Sequence, residues 1–256
     1  MIIDSHCHAG TGFGLNDPWD GRPLLEKYLR RASEAGISHS VLFANFHDDY
    51  ASANRSVARI VNTNPQRFFG FAYVHAQHDK GRIHTIVRTA VRDYGFVGIK
   101  IHRHDSRISR EVCEAARAYA LPVLYDIENE LPIVDLLAMH YSEVNFIIPH
   151  LGSFSENWRT QKALIERLEV YPNIYADSSG VRYFDLLARA VERCGAEKIL
   201  FGSDGPWLHP GVELAKIRAL RLPAVQENLI VGGNFLNLIS AAWRRQASPL
   251  AGGLRI

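Results

Sequence analysis

The stretch Gly81-Arg82-Ile83-His84-Thr85-Ile86-Val87-Arg88-Thr89-Ala90-Val91-Arg92-Asp93-Tyr94-Gly95-Phe96-Val97-Gly98-Ile99-Lys100-Ile101-His102 decides the fold. Ile83, Ile86, Val87, Ala90 and Val91 recur at helical spacing, which paints one apolar stripe on a helix over 81–94. Gly95 ends that helix, because glycine accepts the left-handed backbone a C-terminal turn needs. An apolar run, Phe96–Ile101, follows with little alternation, as in a strand covered on both faces. Helix, glycine, strand is the repeating unit of an α/β protein.

The same unit recurs on either side. Helices are predicted over Pro23–Ala35, ending at Gly36, and over Arg182–Cys194, ending at Gly195. Short apolar runs at Ile2–Ile3, Val41–Ala44, Phe69–Val74, Phe96–Ile101, Pro122–Tyr125, Asn145–Ile148, Asn173–Ala176 and Ile199–Gly202 predict eight strands. After a first gap of about 39 residues their starts lie about 23–28 apart, enough for a strand, a helix of 10–15 residues and two short loops. Eight units in 256 residues match a (β/α)8 TIM barrel, for which about 250 residues is typical. The expectation is one barrel domain over 1–256, with a doubly wound open sheet as the alternative.

Composition narrows the function classes. Apolar residues are 47% and charged residues 22%, which is ordinary for a globular chain and excludes dominant disorder. Lys plus Arg is 29 against 27 Asp plus Glu, a net charge of +2; no phosphate-binding excess of basic residues points to nucleic acid. Three scattered cysteines, Cys7, Cys113 and Cys194, are no disulfide framework and imply a reducing compartment. The amino terminus shows no basic segment followed by an apolar one, and no apolar run nears the roughly 18 residues of a membrane span. A cytoplasmic protein with a small-molecule substrate, no nucleic acid and no membrane is expected; a homodimer stays open.

The chemistry gathers at strand ends. His6-Cys7-His8 closes the first strand. Residues two apart share a face, so both imidazoles point into the barrel while Cys7 points to the helices. Such a pair can hold one metal ion, or two neutral imidazoles can hydrogen-bond inside the barrel. Lys100 and His102 share a face at the end of strand four, Asp126 ends strand five, His150 strand six and Asp204 strand eight. Buried charges are costly unless paired or metal-bound, and in a barrel these ends meet on the face where barrel enzymes place their sites. Trp207 follows Asp204 and is expected to wall the cavity, with loop packing as its alternative. The loop Ala9–Arg22, with Gly10, Gly12 and Gly14, is placed to cover it. His47, His75 and His78 read as ordinary loop histidines, and Asp4 as a supporting residue.

Asp4-Ser5-His6-Cys7-His8, Gly98-Ile99-Lys100-Ile101-His102, Ile148-Pro149-His150-Leu151-Gly152 and Leu200-Phe201-Gly202-Ser203-Asp204-Gly205-Pro206-Trp207 together resemble the amidohydrolase superfamily. The branch they resemble is amidohydrolase-2, the group with aminocarboxymuconate-semialdehyde decarboxylase-like enzymes, and Gly232-Gly233-Asn234 is similar to that branch's last helix. The resemblance implies one divalent metal ion, zinc by preference with Mn or Fe as alternatives, and leaves a second ion open. His6 and His8 are then ligands, Asp204 a ligand and proton shuttle, and His150 a ligand or the group that polarises the substrate carbonyl. The branch usually carries His where this chain has Asp126. A carboxylate there either ligates the ion, which would weaken it as a Lewis acid and favour Mn or Fe, or orients a ligand histidine. Lys100 is expected to meet a substrate anion or to form a buried ion pair, and His102 and Trp207 to contact substrate.

The implied activity is hydrolysis of an amide, ester or lactone by a metal-activated water. Non-oxidative decarboxylation of an unsaturated or aromatic acid is the alternative. A TatD-like phosphodiesterase is a weaker match, since Gly98-Ile99-Lys100 stands where that family has a glutamate. An inactive ligand-binding barrel is the non-enzymatic alternative.

Overall fold

The computed structural model describes residues 1–13, 25–154 and 157–247. Eight strands form one sheet in chain order: β1 (Ile3–Ala9), β2 (His39–Ala44), β3 (Phe68–Tyr73), β4 (Gly98–His102), β5 (Val123–Asp126), β6 (Phe146–Ile148), β7 (Ile174–Asp177) and β8 (Ile199–Leu200). Every neighbouring pair from β1·β2 to β7·β8 is parallel. The ring closes where Ser5 N–H donates to Phe201 O at 3.0 Å and His8 N–H to Gly205 O at 2.7 Å. The (β/α)8 barrel is therefore observed, and the open sheet is excluded.

Helices alternate with the strands: α1 (Leu25–Glu34), α2 (Tyr50–Thr63), α3 (Ile83–Tyr94), α4 (Arg110–Tyr119), α5 (Pro132–His140), α6 (Trp158–Val170), α7 (Phe184–Cys194) and α8 (Pro210–Ala219). In α3 the stripe read from sequence faces inward: Ile83, Val87 and Ala90 are buried, with Ile86 and Val91 packed against the core edge. Gly95 follows in the left-handed conformation, φ 70°. The helix expected over 23–35 is described from Leu25 on. Most of the covering loop, residues 14–22, lies outside the described residues.

Two site residues fall beyond the strands they were expected to close. β6 stops at Ile148, and Pro149–Gly152 forms a tight turn with His150 at φ 59° and Leu151 at φ 51°. β8 stops at Leu200, leaving Asp204 on irregular backbone at φ 57°. A proline blocks the ladder after Ile148, and the left-handed backbone redirects the side chains of His150 and Asp204. After α8 the chain adds α9 (Ala224–Asn228) and α10 (Asn234–Ala247). The Gly-Gly-Asn segment earns its place by packing. Gly232 lies against the β1 end, where a Cβ would sit 3.2 Å from Ile3 Cγ1 and Met1 O. Asn234 Nδ2 donates to Ala196 O and Ile199 O at 2.7 Å each, anchoring α10 to the entry of β8. No helix among the described residues is long and apolar enough to cross a membrane.

Two strand glycines are set by neighbouring rings. A Cβ at Gly70 would stand 2.2 Å from Phe96 Cδ1, and one at Gly98 2.4 Å from Phe71 Cε1. Both rings are fully buried and cannot swing aside. Gly70→Ala is therefore expected to cost about 1–3 kcal/mol as an overpacking change, read as a lower denaturation midpoint in urea with an unchanged m-value. A variant as stable as the parent would contradict the close approach.

Candidate active site

β1 supplies the first two groups. Its pairing with β2 runs Asp4↔Ser40 and then Cys7↔Leu42, so three steps on β1 oppose two on β2. This bulge re-aims the strand end, as bulges beside active sites do. His6 and His8 point inward and are almost fully buried. Cys7 points the other way, its Sγ 2.9 Å from Tyr28 Oη on α1.

The protonation pattern of the pair follows from its partners. His6 Nδ1 lies 2.7 Å from Asp177 Oδ2, and His8 Nδ1 lies 3.2 Å from Ala44 O. A carbonyl or an ionised carboxylate only accepts, so both Nδ1 atoms carry the hydrogen and both Nε2 atoms keep a lone pair. Burial keeps the rings neutral: it pulls His6 down to about 4 against the opposing pull of Asp177, and His8 well below its usual value.

Both lone pairs face Asp204, whose Oδ1 is 3.3 Å from His6 Nε2 and 3.4 Å from His8 Nε2. The ligand atoms of His6, His8 and Asp204 all lie within 4.8 Å of one another. Asp4 sets this geometry from below. Its Oδ1 accepts from Ser203 N at 2.8 Å and His6 N at 3.3 Å, and its Oδ2 accepts from Tyr28 Oη at 2.9 Å. One carboxylate thus fixes the backbone next to both Asp204 and His6. Burial raises the Asp204 carboxyl, because the neighbouring lone pairs do not compensate a desolvated anion. Two imidazole nitrogens and a carboxylate oxygen fit a divalent ion with an open coordination place.

A second group lies beside the first. Asp126 Oδ2 is 3.2 Å from His102 Nε2 and 3.3 Å from His150 Nε2. The structure thus places Asp126 and His150 next to the His6, His8 and Asp204 group and not within it. The His150 ring centroid is 5.2 Å from that of His6. Its Nδ1 donates to Ser179 O at 2.7 Å. Burial lowers its pKa, but the Asp126 contact outweighs burial and raises it to about 9. Lys100 is fully buried with no hydrogen-bond partner for Nζ, which lies 5.1 Å from the Phe43 ring centre. It forms no direct ion pair with Asp126, and with no exposed surface it is not placed to touch a substrate, contrary to expectation. Trp207 lies against His8, ring centroids 4.2 Å apart.

Asp177 is the residue that sequence reading missed. It ends β7, is wholly buried, and accepts from His6, from the backbone N–H of His150 and Ser179, and from Ser179 Oγ. Its carboxyl is held far below the usual range: burial raises it, and His6 and the other donors more than reverse that. The signal was present in Ile174-Tyr175-Ala176-Asp177, a strand ending in a carboxylate like β5. His75 and His78 stack on each other, and His75 Nδ1 accepts from the N–H of Gln77 and His78, a turn-closing role.

The amidohydrolase family model matches residues 3–247. The chain belongs to the amidohydrolase family. This amidohydrolase-family enzyme matches no curated protein by sequence. Its barrel is similar to solved structures of low identity. One is a probable 2-pyrone-4,6-dicarboxylic acid hydrolase from Acinetobacter baumannii with citric acid bound: 16% identity, TM-score 0.72, covering 93% of this chain and 99% of that one. A second is 2,6-dihydroxybenzoate decarboxylase from Rhizobium: 17%, TM-score 0.71, 93% and 98%. A third is a dihydroxybenzoic acid decarboxylase from Polaromonas with bound manganese and the inhibitor 2-nitroresorcinol: 18%, TM-score 0.68, 93% and 96%.

The buried histidines make the stability of the metal-free amidohydrolase pH-dependent in both directions. His6 titrates at about 4 when folded, against an ordinary 6.5. Across that window the unfolded chain binds a proton that the folded one does not, so stability falls as pH drops. His150, at about 9 against 6.5, keeps a proton that the unfolded chain has released. Its contribution is complete below pH 6.5 and lost as pH rises to about 9. On the acid side Asp4, raised from 3.8 to about 6, opposes the His6 loss, so the alkaline limb is the clear one: the thermal midpoint is expected to fall from pH 6.5 to about 9, and His150→Gln to flatten that fall. Scanning calorimetry of both proteins from pH 4 to 9 checks this, and an unchanged alkaline limb in the variant would refute it.

Proposed function

We propose that this enzyme is a metal-dependent hydrolase of a small-molecule amide, ester or lactone. The observation that carries the reading is the convergence of His6 Nε2, His8 Nε2 and Asp204 Oδ1 on one point, with no proton on either imidazole nitrogen. In this reading those three residues hold the ion. Zinc is the proposed metal, since two imidazoles and a carboxylate with an open place are its catalytic pattern; manganese tolerates the same donors. The bound ion supplies a water of lowered pKa and polarises a carbonyl.

The chain's own residues do the rest. Asp204 takes the proton of the attacking water and returns it to the leaving group. His150, beside His6, donates to the substrate oxygen as charge develops. Asp177 holds His6 in the tautomer that presents Nε2. Trp207 walls the cavity beside His8. Three unpaired cysteines, Cys7, Cys113 and Cys194, support a cytoplasmic location.

Non-oxidative decarboxylation is the second reading. It is favoured by the names of the Rhizobium and Polaromonas structures and by the manganese in the latter. The two readings separate on a panel of lactones, amides and hydroxybenzoates assayed in 18O-water. Hydrolysis incorporates one solvent oxygen into the product acid. Release of CO2 without solvent oxygen would transfer the assignment to the lyase. His6→Ala/His8→Ala is expected to abolish stoichiometric metal by elemental analysis, and Asp177→Asn to weaken metal affinity about 10–100-fold in chelator competition. A double variant that keeps its metal would refute the site.

A further inference from the structure

We propose that the aromatic face beside the carboxyl ends of β6 and β7 is the contact surface of a homodimer, paired about a twofold axis that passes between Tyr183 and Phe184. The proposal is independent of the metal reading.

Four large rings are exposed together on this face. Phe154, just past the turn that follows β6, is 48% exposed, and Trp158 at the start of α6 is 43% exposed. Tyr183 and Phe184, at the start of α7, are 39% and 36% exposed. Trp158, Tyr183 and Phe184 line one groove of about 410 Å³ together with Arg182 and Asp185. Phe154 adjoins it through the turn after β7, where a Cβ at Gly180 would stand 2.7 Å from the Phe154 ring. The inner edge of Phe154 meets His150, ring centroids 5.0 Å apart at 88°. The Arg159 guanidinium lies 4.8 Å over the Trp158 ring. Single exposed apolar residues are ordinary on a monomer, but contiguous apolar patches with a polar rim mark interaction surfaces.

Charge selects the occupant. Arg182 and Asp185 flank the two central rings, one residue to either side, and both are exposed. Neither pairs with an opposite charge among the described residues. Further along the same two helices charges are engaged within the chain, Arg193 with Glu169 and Arg167 with Asp135. An isologous contact sets residue i of one copy on residue j of the other, and j on i. A twofold axis between positions 183 and 184 therefore sets Arg182 of each copy against Asp185 of the other and packs the rings of both copies between the two pairs. A face of one charge sign would repel itself in that arrangement. Interfaces of standard size bury about 800 Å² on each partner, with the energy concentrated in a few central aromatic and arginine anchors. The four rings and Arg182 are of that kind.

The groove between α4 and α5 is the rival surface. It exposes Leu136 at 50%, with Met139 at 61% beside it. Its charges already satisfy one another: Glu114 meets Arg110 and Arg117, and Arg117 meets Glu143. No uncommitted pair of opposite sign is left there to match a second copy.

Sedimentation velocity of the full chain tests the proposal. The parent is expected at twice the 28.8 kDa mass of one chain. Arg182→Asp and Asp185→Arg each set like charges against one another at both ends of the contact, and each is expected to weaken the dimer at least about tenfold. The double variant Arg182→Asp/Asp185→Arg restores opposite signs and is expected to return the dissociation constant to within about threefold of the parent's. Leu136→Ser/Met139→Ser is expected to leave the dimer unchanged. All four positions are exposed, so each variant is expected to keep the parent's circular dichroism spectrum. A parent that is monomeric at the highest concentration reached overturns the proposal. So does a dimer that tolerates either single reversal, a double variant that stays dissociated, or a dimer lost in the α5 variant.

Discussion

Three lone-pair-bearing atoms pointed at one another inside a barrel repel unless something positive lies between them. His6 Nε2, His8 Nε2 and Asp204 Oδ1 are in that position, and the surrounding structure works to keep them there. Asp177 and Ala44 O fix the two tautomers from outside. Asp4 fixes the backbone on both sides of the seam where β8 meets β1. The bulge in β1 turns the strand end inward. None of these features lowers the energy of an empty barrel as apolar filling would. Their common effect is to hold an electron-rich place ready for a cation, which is preorganisation at the expense of stability.

That expense is spread over a buried polar layer. Asp4 is pushed up to about 6 by burial even though Ser203, Tyr28 and His6 all donate to it. The fold tolerates such groups because the rest of the interior is apolar. Strand and helix faces bury residues such as Val41, Phe71, Ile99, Ile147 and Leu187 completely. His8, His102, Asp126 and Asp177 lie at the carboxyl ends of β1, β4, β5 and β7, and His150 and Asp204 in the turns after β6 and β8.

The barrel was legible because its signal is repetitive: eight apolar runs, evenly spaced after a longer first gap, several following a helix that a glycine ends, each run lying on an observed strand or beside its start. The site was legible where a residue type was unusual for its place, as with His6, His8, Asp126 and Asp204 at strand ends. Two things were less readable. That His150 and Asp204 fall beyond β6 and β8 was one, since the left-handed turns there use residues that ordinarily avoid such backbone, and only long-range contacts such as Asp177 to His150 N hold them there. Asp177 itself was passed over because a single carboxylate after Ala176 has no local partner in sequence; its partners lie 171 and 27 residues away.

The strand-five carboxylate bears on how strongly the site can polarise a substrate. Were Asp126 to ligate the ion directly, two carboxylates would draw down its charge and weaken it as a Lewis acid. Asp126 faces His102 and His150 instead, which on the proposed reading would leave Asp204 as the carboxylate among the ligands. An ion held by neutral imidazoles and one carboxylate would retain positive charge beside the His150 ring, and a substrate oxygen developing negative charge there would be stabilised in a desolvated place. That arrangement serves a carbonyl under attack by water and a carboxylate-bearing ring losing CO2 alike, because both pass through an oxygen that gains charge.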